Sequence, residues 1–385
     1  MPNRRQFTQS LTSIALAGMT PFLGAQTEKA DKSDKSDKIV LGQSLSLTGM
    51  TAPLAVAYTG GARLAFDQAN AAGGIGGRQI ELRVLDDGYD PERSVANTRK
   101  FLEDDVFALF GYFGTAPALA AMPLAVRSKT PFFAPYSGSM TLRSPFNRHV
   151  FHVRASANEE IAVMVKQLTN LGLNRIGVFY QNDPYGQSGL DGVNIALSTL
   201  NLLPQVTASV ERNTVAVDAA VNAISSAAPE AVIQICTFKQ SAAFIRGARK
   251  AGFGGLFYNV SAVGAQTLAE ELGNMAAGVV VSQVMPSPFT PAQTISREFI
   301  EMIRHSGSTV RANYNSIEGF VAARVLIDGM RRSGGRLSRD SLINGLETMS
   351  DASVGGFKVS YSRVDHVAST FVEMSVLLAD GRVRT

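Results

Sequence analysis

Tryptophan is missing from these 385 residues, and cysteine is reduced to Cys236 alone. A single thiol excludes an intramolecular disulfide in any compartment. Its setting in the apolar run "AVIQICTF" makes it a small core residue. It also stands too far from the amino terminus to carry a lipid anchor there, so a lipoprotein is not expected. Histidine is scarce: only His149, His152, His305 and His366 occur. His149 and His152 stand three apart in strand-like "RHVFHVR", where such residues face opposite sides. No cysteine or carboxylate cluster accompanies them, so no metal is expected. A strong charge of one sign is missing too, with 36 Lys+Arg against 32 Asp+Glu and a formal net charge of +4. No basic cluster interleaved with aromatics appears, which argues against nucleic acid as a partner. Beyond Ile39 there is no apolar run of about 18 residues, so no membrane span is expected.

What is present begins with "MPNRRQFTQSLTSIALAGMTPFLGAQ". Arg4 and Arg5 precede a modestly apolar stretch from Leu11 to Leu23 and a small residue, Ala25. This is the pattern of an export signal over 1–25, and the arginine pair followed by Phe7 fits a twin-arginine signal as well as a plain secretory one. Its removal lowers the formal charge from +4 to +2. "TEKADKSDKSDK" follows with nothing to bury but Ala30, so 26–38 reads as a solvated tether.

From Ile39 the chain alternates strand-like and helix-like segments without hairpin signals. "IVLGQSLSL" reads as a strand, residues 55–72 as a helix ended by Gly73 and Gly74, and residues 80–85 as a strand. A helix over 94–104, a strand over 106–110, a helix from Thr115 and a strand over 131–134 continue the series. The same grammar restarts after "FHVRAS", where Ser156 or Asn158 can cap a helix over 159–171. The expected class is α/β: two doubly wound parallel-sheet lobes. In such sheets ligands gather beyond the carboxyl ends of the strands. Those ends carry Ser46 and Thr48, Tyr112 to Thr115, Tyr136 to Ser139, Gln181 to Tyr185, Phe238, and Asn259 to Ser261.

Three motifs invite other chemistry. "GGIGG" at 73–77 follows a helix and precedes a strand, the reverse of a dinucleotide fingerprint, so it reads as a turn and no nucleotide cofactor is expected. "PYSGS" offers Ser137 and Ser139, but it lacks the G-x-S-x-G elbow, and no histidine or lysine base falls at a neighbouring strand end. "NDPYGQSG" opens with an Asp-Pro turn and places Tyr185 where it can close on a ligand.

The run "SLTGMTAPLAVAYTGGARLAFDQANAAGGIGGRQIELRVLDDGYDPERSV", with "VFYQNDPYGQSG" and "FIRGARKAGFGG" later, resembles the periplasmic branched-chain amino-acid-binding proteins of ABC importers. The resemblance extends from Ile39 to Thr385. It implies a type I periplasmic-binding fold of two lobes joined by three crossings near 154–158, 282–287 and 356–362. Lobe I would hold 39–155 with 283–356, and lobe II 156–282 with 357–385. It further implies a periplasmic, non-enzymatic receptor that delivers a small solute to an inner-membrane ABC permease. A sensory subunit of the same fold and an exported serine hydrolase are the alternatives. In "GYFGTAP" the resemblance makes Thr115 and the following helix start the carboxylate seat, beside Gly114 and with Tyr112 and Phe113 where small hydroxyl residues are usual. Ser137, Gly138 and Ser139 adjoin it, Tyr185 matches a closing tyrosine, and Phe238 matches an aromatic wall. Ser261 stands where an acid would pair with a ligand ammonium. A neutral hydroxyl compensates a buried ammonium poorly, so the expected ligand is a carboxylate that need not carry an α-amine.

Overall fold

The computed structural model describes residues 38–385. The export signal expected over 1–25 and the tether expected over 26–38 lie outside the described residues, except Lys38, which opens the first strand.

In chain order the first lobe begins with β1 (Lys38–Leu45), α1 (Ala52–Ala71), β2 (Gln79–Asp86), α2 (Pro91–Glu103), β3 (Ala108–Phe110), α3 (Thr115–Arg127), β4 (Phe132–Phe133) and β5 (Val150–Phe151). Its sheet runs β2-β1-β3-β4-β5 with every pair parallel. The buried apolar residues of these strands meet across the sheet. Phe110, Phe133 and Phe151, one from each of three neighbouring strands, stack at 6.2 and 6.3 Å. Such a both-sides-buried ladder explains why the strands read as continuous apolar runs.

The second lobe holds α4 (Ala157–Asn170), β6 (Ile176–Gln181), α5 (Pro184–Ser198), β7 (Val206–Val210), α6 (Asp218–Ala227), β8 (Ala231–Ile235), α7 (Phe238–Lys250), β9 (Leu256–Asn259), α8 (Ala265–Leu272) and β10 (Val280–Gln283). Ser156 starts α4 with a capping box: its hydroxyl accepts from Glu159 N–H at 3.2 Å, and the Glu159 carboxylate accepts from Ser156 N–H at 2.6 Å. The chain then returns to the first lobe with α9 (Thr294–His305), α10 (Tyr314–Arg332), α11 (Arg339–Glu347), β11 (Ala352–Val354) and β12 (Phe357–Val359). It ends in β13 (Glu373–Leu377) and β14 (Val383–Arg384), giving a second sheet ordered β14-β13-β10-β9-β8-β6-β7. Five of its strands are parallel; β13 and β14 join antiparallel, so this sheet is mixed where a parallel one was expected.

The helix α10 is buried almost all round and lies against α1. The two backbones touch through paired glycines. A Cβ on Gly61 would stand 1.7 Å from the Ser316 carbonyl oxygen, and one on Gly319 would stand 1.8 Å from that of Tyr58. The lobe boundary expected at 356 and 357 requires correction. β12 pairs with β11 in a separate hairpin, and Ala368 N–H donates to His152 O at 2.8 Å, so the chain stays on the first lobe. It enters the second sheet only at Glu373. The three crossings fall at 152–156, 284–293 and 360–372.

Candidate functional site

The carboxyl ends of both sheets meet at one gap. Between them lies a cavity of about 30 Å³. Lobe I lines it with Thr51, Leu54, Tyr89, Phe113, Gly114, Thr115, Tyr136 and Ser137, and lobe II with Tyr185, Cys236, Thr237 and Ala262. Among the described residues, no side chain in this wall is charged.

Two helices start at the cavity without a side-chain cap. Thr51 precedes α1 and Gly114 precedes α3, and neither has a side chain that accepts from the helix N–H groups. The first N–H groups of α3, those of Thr115 and Ala116, therefore have no intrahelical partner and carry the positive end of the helix dipole. The hydroxyls of Thr115 and Ser137 stand 2.7 Å apart beside them. Gly114 is required here: its φ is +90°, and a Cβ would meet Tyr89 Cε2 at 2.2 Å. Together these groups present hydrogen-bond donors and the positive end of a helix dipole to the cavity, chemistry suited to an anion.

The opposing wall belongs to lobe II. Asp183 caps α5 by accepting from Tyr185 N–H at 2.9 Å and Gly186 N–H at 3.2 Å, and it takes a further bond from Gln181 Nε2 at 2.6 Å. These bonds hold the "NDPYG" turn, and Tyr185 reaches back to donate to Cys236 O at 3.5 Å. Burial raises the Asp183 pKa, and the three hydrogen bonds counter that rise. The lobes touch around the cavity: Met140 N–H donates to Ser188 Oγ at 3.2 Å, and Gln181 Nε2 donates to Tyr89 Oη at 3.5 Å.

Residues 38–379 match the family described as periplasmic binding protein. A Leu/Ile/Val-binding protein homolog 7 of Brucella abortus (strain 2308) is 26% identical over 345 residues, 84% of this chain and 82% of its own. A structure named "possible leucine/isoleucine/valine-binding protein" from Rhodopirellula baltica SH 1 superimposes with a TM-score of 0.86 at 32% identity, covering 91% of this chain and 97% of that one. A substrate-binding periplasmic protein from Ralstonia solanacearum gives 0.85 at 32% identity, covering 90% and 99%. The chain belongs to the periplasmic binding protein family. It is a solute-binding protein with the type I fold, and the family implies a periplasmic location. Among the described residues no helix is long and apolar enough to cross a membrane.

In this binding protein the cavity brings together six of the residues singled out from sequence: Phe113, Gly114, Thr115, Tyr136, Ser137 and Tyr185. Six others stand behind the wall. Tyr112 points to the opposite face of its strand, where its hydroxyl meets Thr98 Oγ1 at 2.9 Å and its ring packs on Phe132. Ser46 is buried and bonded to Thr51 Oγ1 at 2.6 Å. Gly138 abuts α4, its carbonyl accepting from Ala157 N–H at 2.7 Å. Ser139 caps the 3₁₀ turn Met140–Leu142 through Thr141 N–H. Phe238 is core at the start of α7, and its neighbour Thr237 takes the wall position. Ser261 is likewise displaced by Ala262, and no hydrolytic base touches the serines: Ser137 Oγ meets only Thr115 Oγ1 and Ser139 N–H among the described residues.

Sequence reasoning missed Thr51, Leu54, Tyr89 and Thr237 as wall residues; Cys236, read as a core residue, is fully buried and also borders the cavity. It also missed an acid. The expectation of no acid beside Ser261 is corrected by Glu160, whose Oε2 accepts from Ser261 N–H at 2.7 Å. Glu160 is the second glutamate of "SANEE", and only the crossing of α4 under β9 and β10 brings it there.

Proposed function

We propose that this protein is the solute receptor of an ABC importer, and that its ligand is a small organic acid, short-chain or aromatic, that need not carry an α-amine. One observation carries the reading: the interlobe cavity has an anion seat at the start of α3 and no charged side chain anywhere in its wall. A carboxylate is served by the N–H groups of Thr115 and Ala116 and by the Ser137 hydroxyl. An ammonium leaving water would find no counter-charge there, and a buried charge without a partner is costly. The apolar and aromatic remainder, from Leu54, Phe113, Tyr89 and Tyr185, suits a branched or aromatic body. The names of the Brucella and Rhodopirellula relatives point to branched side chains of the same size class.

The cavity is far below the roughly 300–1,000 Å³ of ordinary small-molecule sites. Entry of such an acid therefore requires the lobes to part, and its affinity depends on how they settle around it.

A thermal-shift screen tests this on protein that has been unfolded and refolded to strip bound solute. The panel pairs branched-chain and aromatic amino acids with their amine-free counterparts. A ligand at about 100 times its Kd adds about 2.7 kcal/mol, which raises Tm by several degrees. Stabilisation by the amine-free acids supports the reading; stabilisation by the amino acids alone overturns it.

A further inference from the structure

We propose that Arg154 determines the ligand class of this cleft, because its guanidinium pairs with Glu160 and Glu318, two carboxylates that stand behind the cavity wall. The inference deepens the reading of the ligand given above and rests on it.

Arg154 lies on the first crossing between the lobes and is 2% exposed. Its Nη2 stands 3.4 Å from Glu160 Oε1 of α4, and its Nη1 stands 3.4 Å from Glu318 Oε1 of α10. One guanidinium thus answers an acid from each lobe. Its Cζ lies 4.8 Å from the ring centroid of Tyr136, and Phe113 stacks on that same ring at 4.5 Å. Tyr136 and Phe113 are both cavity wall. The ion cluster is therefore one aromatic layer from the ligand.

Glu160 is the acid that the cavity would use. Its Oε2 accepts from Ser261 N–H at 2.7 Å and from the Ser282 hydroxyl at 2.5 Å, and Arg154 also donates to the Ser261 hydroxyl. Burial raises the pKa of Tyr136 and Tyr185, and the Glu160 charge adds to the rise at both, so its field reaches wall residues of both lobes. With Arg154 in place that field is opposed by a guanidinium 3.4 Å from the Glu160 carboxylate. Burial holds Glu318 up to about 7 against the pull of Arg154 and Arg143; Glu160, Tyr58 and Tyr136 are the other titratable groups that face it. Once Arg154 is lost, burial favours the protonated form of Glu318, while Glu160 still has Ser261 N–H and the Ser282 hydroxyl as donors to its Oε2.

The test is the ratio of affinities for matched probes, leucine against 4-methyl-2-oxopentanoate and phenylalanine against 3-phenylpropanoate, by titration calorimetry near neutral pH. Arg154→Gln should move the ratio toward the amino acid by about tenfold or more, the effect of an opposite charge within reach of a titrating group. Arg154→Lys should keep the wild-type ratio, and Arg154→Gln with Glu160→Gln should restore it. A purely structural role would weaken both probes alike, so an unmoved ratio in folded Arg154→Gln overturns the inference. If that variant fails to fold, Glu160→Gln alone should shift the ratio away from the amino acid, and no shift there overturns it. The wild-type ratio tests the ligand reading separately. A wild-type preference for leucine or phenylalanine defeats that reading, yet a shift in Arg154→Gln would still establish the role of Arg154.

Discussion

Ser137 and Ser139 lie two apart in one loop and do different work. The Ser137 hydroxyl faces the cavity beside Thr115, whereas Ser139 is turned to Thr141 and ends its loop. Ser137→Ala should weaken acid binding by about tenfold to a hundredfold, the range for a hydrogen bond to a charged group. Ser139→Ala should leave affinity unchanged and lower stability by about 1 kcal/mol, as the loss of a cap does. Calorimetric titration and denaturant unfolding of the two variants distinguish these outcomes; equal affinity losses would contradict the assignment. Thr115, Ser137 and Tyr185 were legible in the sequence because strand ends in a parallel sheet point to one edge. Tyr112 was not separable from Phe113, because adjacent residues face opposite sides and sequence does not show which side is the cleft. Tyr89 was hidden for a different reason: it holds φ at +64°, a backbone state that reads as glycine's, and this turns its ring into the site.

At the scale of elements, the anion seat is the uncapped start of α3, and its shape depends on the contact of Gly114 with Tyr89. Gly114→Ala should cost both stability and acid affinity, since the methyl can be accommodated only by moving the Tyr89 ring. Affinity at wild-type level in that variant would show that Tyr89 is not part of the wall in solution. The helix α10 carries a second consequence through Glu318. Burial raises its pKa from 4.5 to about 7. Between those values the folded chain keeps a proton that the unfolded chain releases. The contribution is therefore present at low pH and is lost as pH rises toward 7. Glu318→Gln removes that loss, so its stability relative to wild type should climb by up to about 3 kcal/mol between about pH 5 and about pH 8. Denaturant titrations that show a pH-independent difference would contradict it. Most elements up to β6 were readable from apolar spacing and caps, with Ser156 the clearest case. β7 and α6 were not, because β7 exposes every second residue and α6 has no side-chain cap to mark its start. The β11–β12 hairpin shifted the third crossing because strand patterning shows that a segment pairs, not with which sheet.

For the whole molecule, a cavity of about 30 Å³ between the lobes means that the proposed ligand requires the lobes to part. Saturating ligand should change the small-angle scattering profile, and identical profiles with and without it would mean that the lobes do not move. The two-lobe architecture was readable from the repeated strand-helix grammar together with the family resemblance. The electrostatics of the cleft were not, because Arg154, Glu160 and Glu318 are far apart in the chain and meet only where the lobes cross. The most direct test of the central claim is a crystal structure with the amine-free acid that stabilises the protein most. The account predicts the ligand carboxylate at hydrogen-bonding distance from the N–H groups of Thr115 and Ala116 and from Ser137 Oγ, with no protein carboxylate touching the ligand. A ligand seated elsewhere, or an acidic side chain drawn out to meet it, would contradict the account.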